Sequence, residues 1–345
     1  MERIIFWNNK GGTGKTSLAF QIVSEYASQH LDKKILVIDV CPQANLSELF
    51  LGGLHQNGSN ILLQLQGMNP RATIGGYFQM RLPSPYSAPT FNTYDYITNV
   101  SKYNKNISEN IDILCGDAML ELQSNAISTL ANNQIPGTNT WIAIINWLND
   151  FIERIRDPYD IIFIDSNPSF SMYTQIAIAT STKVVLPVMA DDSSKRAIQN
   201  AFSLIYGLKL PSEIYSKYAF AEKLKEVHQP LPKVYMILRN RITQYMGSAS
   251  AYATVLNSIN DDIKSLLVTN PEIFFFEDIK NGVFDVRDFQ TTGVVSAARG
   301  CPFSKLSSGR LDVLGRRVQV REEYRCNCVN NIHTIINKMN ADIKL

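Results

Sequence analysis

No apolar run in this 345-residue chain approaches the ~20 residues that cross a bilayer, so a soluble protein is predicted. Cysteine is scarce too: Cys41, Cys115, Cys301, Cys326 and Cys328 are odd in number and scattered. That usage excludes a disulfide framework and makes a reducing cytoplasm the simplest location. Cys326 and Cys328 form the one close pair, but they lack the second pair a zinc site needs, and buried small side chains are the simpler reading. Excess charge is also missing. With a formal net charge of +2, 19% charged and 45% apolar residues, the composition is ordinary for a globular protein. Only local clustering of charge therefore bears on partners.

What is present is concentrated early. The apolar run Arg3-Ile4-Ile5-Phe6-Trp7 breaks into Asn8-Asn9-Lys10-Gly11-Gly12-Thr13-Gly14-Lys15-Thr16-Ser17, and Leu18–Val23 then reads as a helix. This is the layout of a phosphate-binding loop. Glycines let backbone N–H groups converge on an anion, and the helix that follows presents its unpaired N–H groups and positive dipole end to the same anion. In that layout Lys15 neutralises the β- and γ-phosphates and the Thr16 hydroxyl holds Mg²⁺. The ordinary pattern asks for Gly where this chain has Asn9, and it does not ask for Lys10. The loop occupies the place a secretory signal would need, so none is expected.

Further along, Ile35–Val40, Ile111–Leu114, Tyr159–Asp165, Lys183–Val188 and Val234–Leu238 are short apolar runs of the kind parallel strands buried on both faces display. Helical spacing marks Met119–Leu130, Trp141–Ile155, Ser193–Leu208 and a final stretch through Tyr324, Cys328, Ile332, Ile335, Ile336 and Met339. Residues 52–110, rich in Gly, Asn, Pro, Ser and Tyr, read as a long surface excursion with one short helix near Ile61–Leu65. Residues 212–232 read as a charged, partly helical insertion. Length alone favours two domains at ~100–200 residues each. The loop and the later strands would nevertheless share one sheet. The expectation is one α/β domain over 1–345, a mostly parallel twisted sheet flanked by helices on both faces, with a basic C-terminal segment from about 297 to 345.

Three motifs now stand in order: Lys10–Thr16, Ile38-Asp39-Val40-Cys41-Pro42-Gln43-Ala44-Asn45, and Asp160–Ser169. Together they resemble the ParA/MinD group of deviant Walker-A ATPases, a P-loop NTPase family, and most closely its ParA DNA-partition branch. The resemblance implies an ATP-sandwich homodimer in which Lys10 crosses to the partner's nucleotide. It implies that Gly11, Gly12, Thr13, Gly14, Lys15, Thr16 and Ser17 wrap the phosphates, that Asn240 meets the adenine edge, and that Thr16, Asp39 and Asp165 serve Mg²⁺, the aspartates through its waters. Asn45 would assist catalysis beside Lys10, Lys15 and Asp39. Where the family carries a second aspartate that orients the attacking water, this chain has Cys41. A thiol with a pKa of about 8.5 is mostly neutral at pH 7, so slow hydrolysis is expected.

The resemblance also implies sequence-neutral DNA binding, a nucleoid-associated location in the cytoplasm, and a ParB-like or other adaptor that links the ATPase to a plasmid, chromosome or other cargo. The candidate DNA residues are Arg299, Lys305, Arg310, Arg316, Arg317 and Arg321, with Arg325 beside them. These seven bases stand against Asp312, Glu322 and Glu323, a local net charge of +4. An operator-reading helix-turn-helix ahead of residue 3 is not expected. Two alternatives remain open: a hydrolysis-deficient, nucleotide-gated interaction module, and a MinD-like membrane-positioning ATPase. The second needs an amphipathic C-terminal helix with a bulky apolar face, and Asn337–Leu345 is too polar for that. An iron–sulfur reductase of the NifH type would need a bridging cysteine pair, and none is evident.

Overall fold

A computed structural model of the chain describes residues 1–189, 191–242 and 250–343, so residues 344 and 345 of the polar C-terminal end lie outside the described residues. The strands are β1 (Glu2–Phe6), β2 (Ile35–Val40), β3 (Ile97–Asn99), β4 (Ile111–Leu114), β5 (Ile161–Ser166), β6 (Lys183–Met189), β7 (Lys233–Ile242), β8 (Val283–Arg287), β9 (Gly309–Val313) and β10 (Arg316–Val320). The helices are α1 (Lys15–Gln29), α2 (Asn45–Phe50), α3 (Gly58–Gln66), α4 (Ile74–Arg81), α5 (Met119–Ala131), α6 (Thr140–Ile145) and α7 (Trp147–Glu153). They continue as α8 (Met172–Thr180), α9 (Asp192–Tyr206), α10 (Glu213–Tyr218), α11 (Phe220–Glu226), α12 (Ser250–Thr269), α13 (Gln290–Arg299) and α14 (Glu322–Asp342).

Eight strands form one sheet in the order β3-β4-β2-β5-β1-β6-β7-β8, parallel throughout except for β3. Side-chain alternation explains the two cores. Ile5, Leu36, Ile38 and Val40 face one apolar layer with α4 to α9, while Ile4, Phe6, Ile35 and Val37 face the other with α1, α2 and α14. Both faces are covered, which is why the strands read as continuous apolar runs. β1 lies between β5 and β6, and β2 lies on the far side of β5. The crossover from β1 to β2 therefore runs one way along the sheet and that from β5 to β6 the other, and the carboxyl ends of β1, β2 and β5 open onto one crevice.

The largest correction concerns residues 52–110, which are not a surface excursion. α3 and α4 pack inward, β3 pairs antiparallel with β4, and Ile74, Tyr77, Phe78 and Val100 are fully buried. The side chain of Thr73 caps α4 by accepting from the Gly76 N–H at 3.1 Å, and buried Asp117 accepts from Arg71 and Thr73. Tyr77 packs edge-on against Phe151 at 4.8 Å between ring centroids. Glycine and proline punctuate this segment, but tertiary aromatic contacts decide where it lies. The proline-bearing stretch 82–89 does stay free of helix and strand.

The expected single helix over 141–155 breaks at Asn146 (φ −86°, ψ 2°) into α6 and α7. The insertion at 212–232 forms α10 and α11. α12, β8, α13 and the β9–β10 hairpin carried no expectation. α14 buries Cys328, Ile332, Ile335, Ile336 and Met339 in the core shared with α1, so its apolar face is already covered. No helix among the described residues is long and apolar enough to cross a membrane.

Candidate nucleotide site

The glycine loop runs from the end of β1 to the start of α1, where sequence reading placed it. Gly12 and Gly14 adopt φ +74° and +87°, a region that a side chain disfavours, and Gly14 directly precedes α1. A Cβ on Gly14 would stand 2.1 Å from Asn240 Nδ2. The loop is therefore closed against β7 as well as against its own helix.

Lys15 is 7% exposed and folds back over the loop, donating to the Asn8 and Lys10 carbonyls at 3.2 and 3.1 Å. Burial lowers its pKa, opposed by the charge of Asp165. Thr16 donates to Asp165 Oδ2 at 2.7 Å. The other Asp165 oxygen, Oδ1, is buried without a hydrogen-bond partner among the described residues, as is the Thr13 hydroxyl. A buried carboxylate oxygen left unpaired beside a hydroxyl is a donor set that suits Mg²⁺ and its waters.

Asp39 and Asp165 stand opposite each other on β2 and β5. Both are buried, and both carboxyls are raised above the ordinary range, Asp39 to about 6 and Asp165 to about 7. Burial is the main cause for each, and for Asp165 the charge of Asp39 adds to it. The structure gives Asp39 a further duty. Its Oδ1 accepts from the Cys41 N–H at 3.1 Å, and its Oδ2 accepts from the Ser47 N–H and hydroxyl at 2.9 and 2.7 Å. Asp39 thus fastens the 41–47 loop. Ser47 in turn accepts from the Gly116 N–H at 2.8 Å. Sequence reasoning passed over Ser47, whose only signal was a hydroxyl eight residues beyond a strand-ending aspartate.

Two cavities flank the loop. One of about 840 Å³ is lined by Gly11, Lys15, Thr16, Cys41, Asn45 and Glu121, among others. Cys41 is 8% exposed, and burial, with the charges of Asp39 and Asp165, pushes its thiol up to about 12. Asn45 is exposed and donates to Gln43 at 3.3 Å. The other cavity, about 450 Å³, lies past Gly14 and Ser17 and is lined by Asn240, Arg241, Phe289 and the α13 residues Gly293, Val294 and Ala297. Asn240 donates to the Thr13 carbonyl at 2.9 Å, so it holds the loop and also faces this cavity. A phosphate-side space and a base-sized space on either side of one glycine loop are what a nucleotide occupies.

Against this geometry, a family model described as an AAA domain matches residues 1–211. The chain belongs to this family, as a ParA/MinD-type ATPase. It is similar to a virulence plasmid ParA family protein of Chlamydia psittaci, 26% identical over 201 residues, which make up 58% of this chain. The match spans 61% of that relative's length. The ATP complex of McdA from Cyanothece shares the fold at a TM-score of 0.61 with 14% identity, covering 98% of this chain and 96% of that one. A plasmid partition protein from Borrelia burgdorferi shares it at 0.52 with 15% identity, covering 99% and 100%.

The Lys10 side chain turns away from the Lys15 side of the loop. Its Nζ donates to both oxygens of Asp191 at 2.7 and 2.6 Å and to the Ser194 hydroxyl at 3.4 Å. Asp191 also caps α9 by accepting from the Ser194 N–H at 2.8 Å, and the Lys10 and hydroxyl contacts hold its carboxyl down to about 2 against burial. The DNA candidates do not behave as one group. Arg310, Arg316 and Arg317 share the β9–β10 hairpin, whereas Arg299 is tied to the Asp312 carbonyl at 3.0 Å. Arg321 stacks over Tyr324, Arg325 pairs with Glu322 at 2.5 Å, and Lys305 is exposed.

Proposed function

We propose that the chain is an ATP-dimerising ATPase that binds DNA without sequence preference and positions a replicon or other cargo through a ParB-like adaptor, at the nucleoid. The observation that carries the reading is the presence of two lysines at one loop. Lys15 covers the loop's own phosphate position, which leaves Lys10, held at the loop's edge by Asp191, available to a second subunit.

On nucleotide entry Lys15 exchanges two carbonyl partners for phosphate oxygens, and Thr16 and Asp165 are the residues that would hold Mg²⁺. Mg²⁺, when bound, neutralises charge on the β- and γ-phosphate oxygens. The unpaired oxygen of Asp165 would serve that metal, and Asp39 keeps the 41–47 loop in place. Lys10 leaves Asp191 for the partner's nucleotide. The neutral Cys41 thiol accepts no proton, so water orientation falls on Asn45, and hydrolysis is slow.

The test is duplex binding measured with ATP, with ADP and without nucleotide at two salt concentrations. Binding indifferent to nucleotide would refute the switch. A partly exposed ion pair is worth ~0.2–1 kcal/mol. Asp191→Asn, which can keep the helix cap, is therefore expected to tighten the ATP dimer by roughly 1.4- to 5-fold per released lysine, read by sedimentation. An unchanged dimer constant would show that the Asp191 contact does not restrain Lys10. The Cys41 thiol also favours a second reading, a nucleotide-gated interaction module. Phosphate release at background with ATP-dependent dimerisation intact would select it.

A further inference from the structure

The phosphate-side cavity has an acid on its wall that neither the glycine loop nor the paired aspartates supply. Among the described residues, Glu121 of α5 is the single carboxylate lining it, in company with Cys41, Asn45 and Asn167. Asp39 and Asp165 are buried and do not line it.

The place of Glu121 is set from two sides. β4 runs beside β2, and just past its end the Gly116 N–H donates to Ser47 at 2.8 Å, which ties the approach to α5 to the 41–47 loop. Asp117 then accepts from the Met119 N–H at 3.0 Å and from Arg71 at 2.8 Å, and Gln123 donates to the Gly75 carbonyl at 2.8 Å. These bonds fix the first turn of α5, where Glu121 lies. From the other side, the Tyr173 hydroxyl donates to Glu121 Oε2 at 3.4 Å. Tyr173 is buried and accepts from the Asn167 amide at 2.7 Å, so it links Glu121 to the loop that follows Asp165. Glu121 is otherwise exposed, which gives a proton taken up there a way out to solvent.

We propose that Glu121 is the proton acceptor for hydrolysis in this chain, filling the role that the Cys41 thiol cannot, with Tyr173 as its positioning residue. The inference rests on the ATPase reading above. A thiol is a weak acceptor, whereas an ionised carboxylate accepts at two oxygens. Water attacks the γ-phosphorus and its proton passes to Glu121. The bond from that phosphorus to the β,γ-bridging oxygen breaks, and its electron pair leaves with ADP. Glu121 then yields the proton to solvent as inorganic phosphate departs. Asn45 orients the water and Glu121 accepts from it, so the two share a task that one aspartate would otherwise perform. A carboxylate in a first helical turn also suits the helix dipole, but that service alone would leave turnover untouched.

The experiment measures phosphate release at saturating ATP, together with equilibrium binding of ADP and of the non-hydrolysable imido analogue of ATP. Glu121→Gln keeps the size and removes the charge. It is expected to lower kcat on the order of 10²-fold. The analogue is expected to bind roughly 2- to 5-fold more tightly relative to ADP, because a negative charge facing the γ-phosphate is gone. Adding Cys41→Asp to Glu121→Gln is expected to restore turnover to at least the wild-type rate. Tyr173→Phe is expected to lower kcat by up to about 10-fold with KM unchanged. A Glu121→Gln rate equal to wild type overturns the assignment and leaves the ATPase reading standing. A lowered rate with neither the shift in analogue preference nor recovery by Cys41→Asp makes the loss structural and overturns it as well. A wild-type chain that binds ATP but releases phosphate only at background overturns the ATPase reading and this inference together.

Discussion

Replacing Cys41 by aspartate is expected to raise ATP hydrolysis on the order of 10²-fold, the lower end of what a positioned proton acceptor supplies. Cys41 lines the phosphate-side cavity, and its buried thiol is pushed up to about 12, so at pH 7 it is neutral and offers the attacking water only weak acceptance. Cys41→Asp adds an acceptor at that position. The cost falls on the ligand-free chain, because the new carboxylate joins Asp39 and Asp165 in one buried cluster; metal binding offsets that repulsion. Cys41→Ala serves as the control and is expected to leave the rate unchanged. Phosphate release at saturating ATP is the measurement. A Cys41→Asp rate equal to wild type, with ATP binding intact, would show that the water is oriented without this position.

Asp165→Asn is expected to make the ligand-free chain more stable at pH 8 by on the order of 1–3 kcal/mol while abolishing the stabilisation conferred by Mg²⁺ and ATP. The carboxyl is raised to about 7 by burial and by the neighbouring charge of Asp39, so the folded chain binds a proton that the unfolded chain, with its ordinary value near ~3.9, has released. A raised folded value means stability fully present below about pH 4 and lost as pH rises through about 7. At pH 8 the wild-type chain buries a charge that the amide variant lacks, and at pH 5 the difference shrinks because Asp165 is already protonated. Glu25, Asp117 and Asp191, whose values are lowered, contribute the opposite slope. The difference between wild type and variant, taken by urea unfolding at each pH, removes their contribution. A difference independent of pH would sink this account.

The two experiments bear on one arrangement. The site holds buried acids close together at the expense of ligand-free stability, and under the proposed function metal and nucleotide binding would offset that expense. Activity and ligand-free stability are then expected to move in opposite directions at both positions.

Local chemistry made the phosphate loop and the parallel strands legible in the sequence. Three glycines before Lys15-Thr16 have few other uses between a strand and a helix, and strands covered on both faces must be apolar at every position. Asp39 and Asp165 were legible because each ends such a run. Their pairing across β2 and β5 was not, since sheet order depends on which crossovers pack. The inward course of residues 52–110 was hidden because its aromatic side chains gain their meaning only from Phe151 and the other partners distant in the chain. Asn146 illustrates the same limit on a small scale, since helical periodicity continues across a residue at which the backbone stops being helical.

The sequence alone determined that this chain has a glycine loop with two lysines between a strand and a helix, and that a thiol follows the strand-ending Asp39 by two residues, because those properties reside in residue type and spacing. Only the tertiary structure decided that Lys10 rests on Asp191, that Asp39 fastens its own loop through Ser47, and that Arg310, Arg316 and Arg317 gather on one hairpin. Each of those joins segments far apart in the chain, or depends on which way a side chain turns, and packing alone settles both.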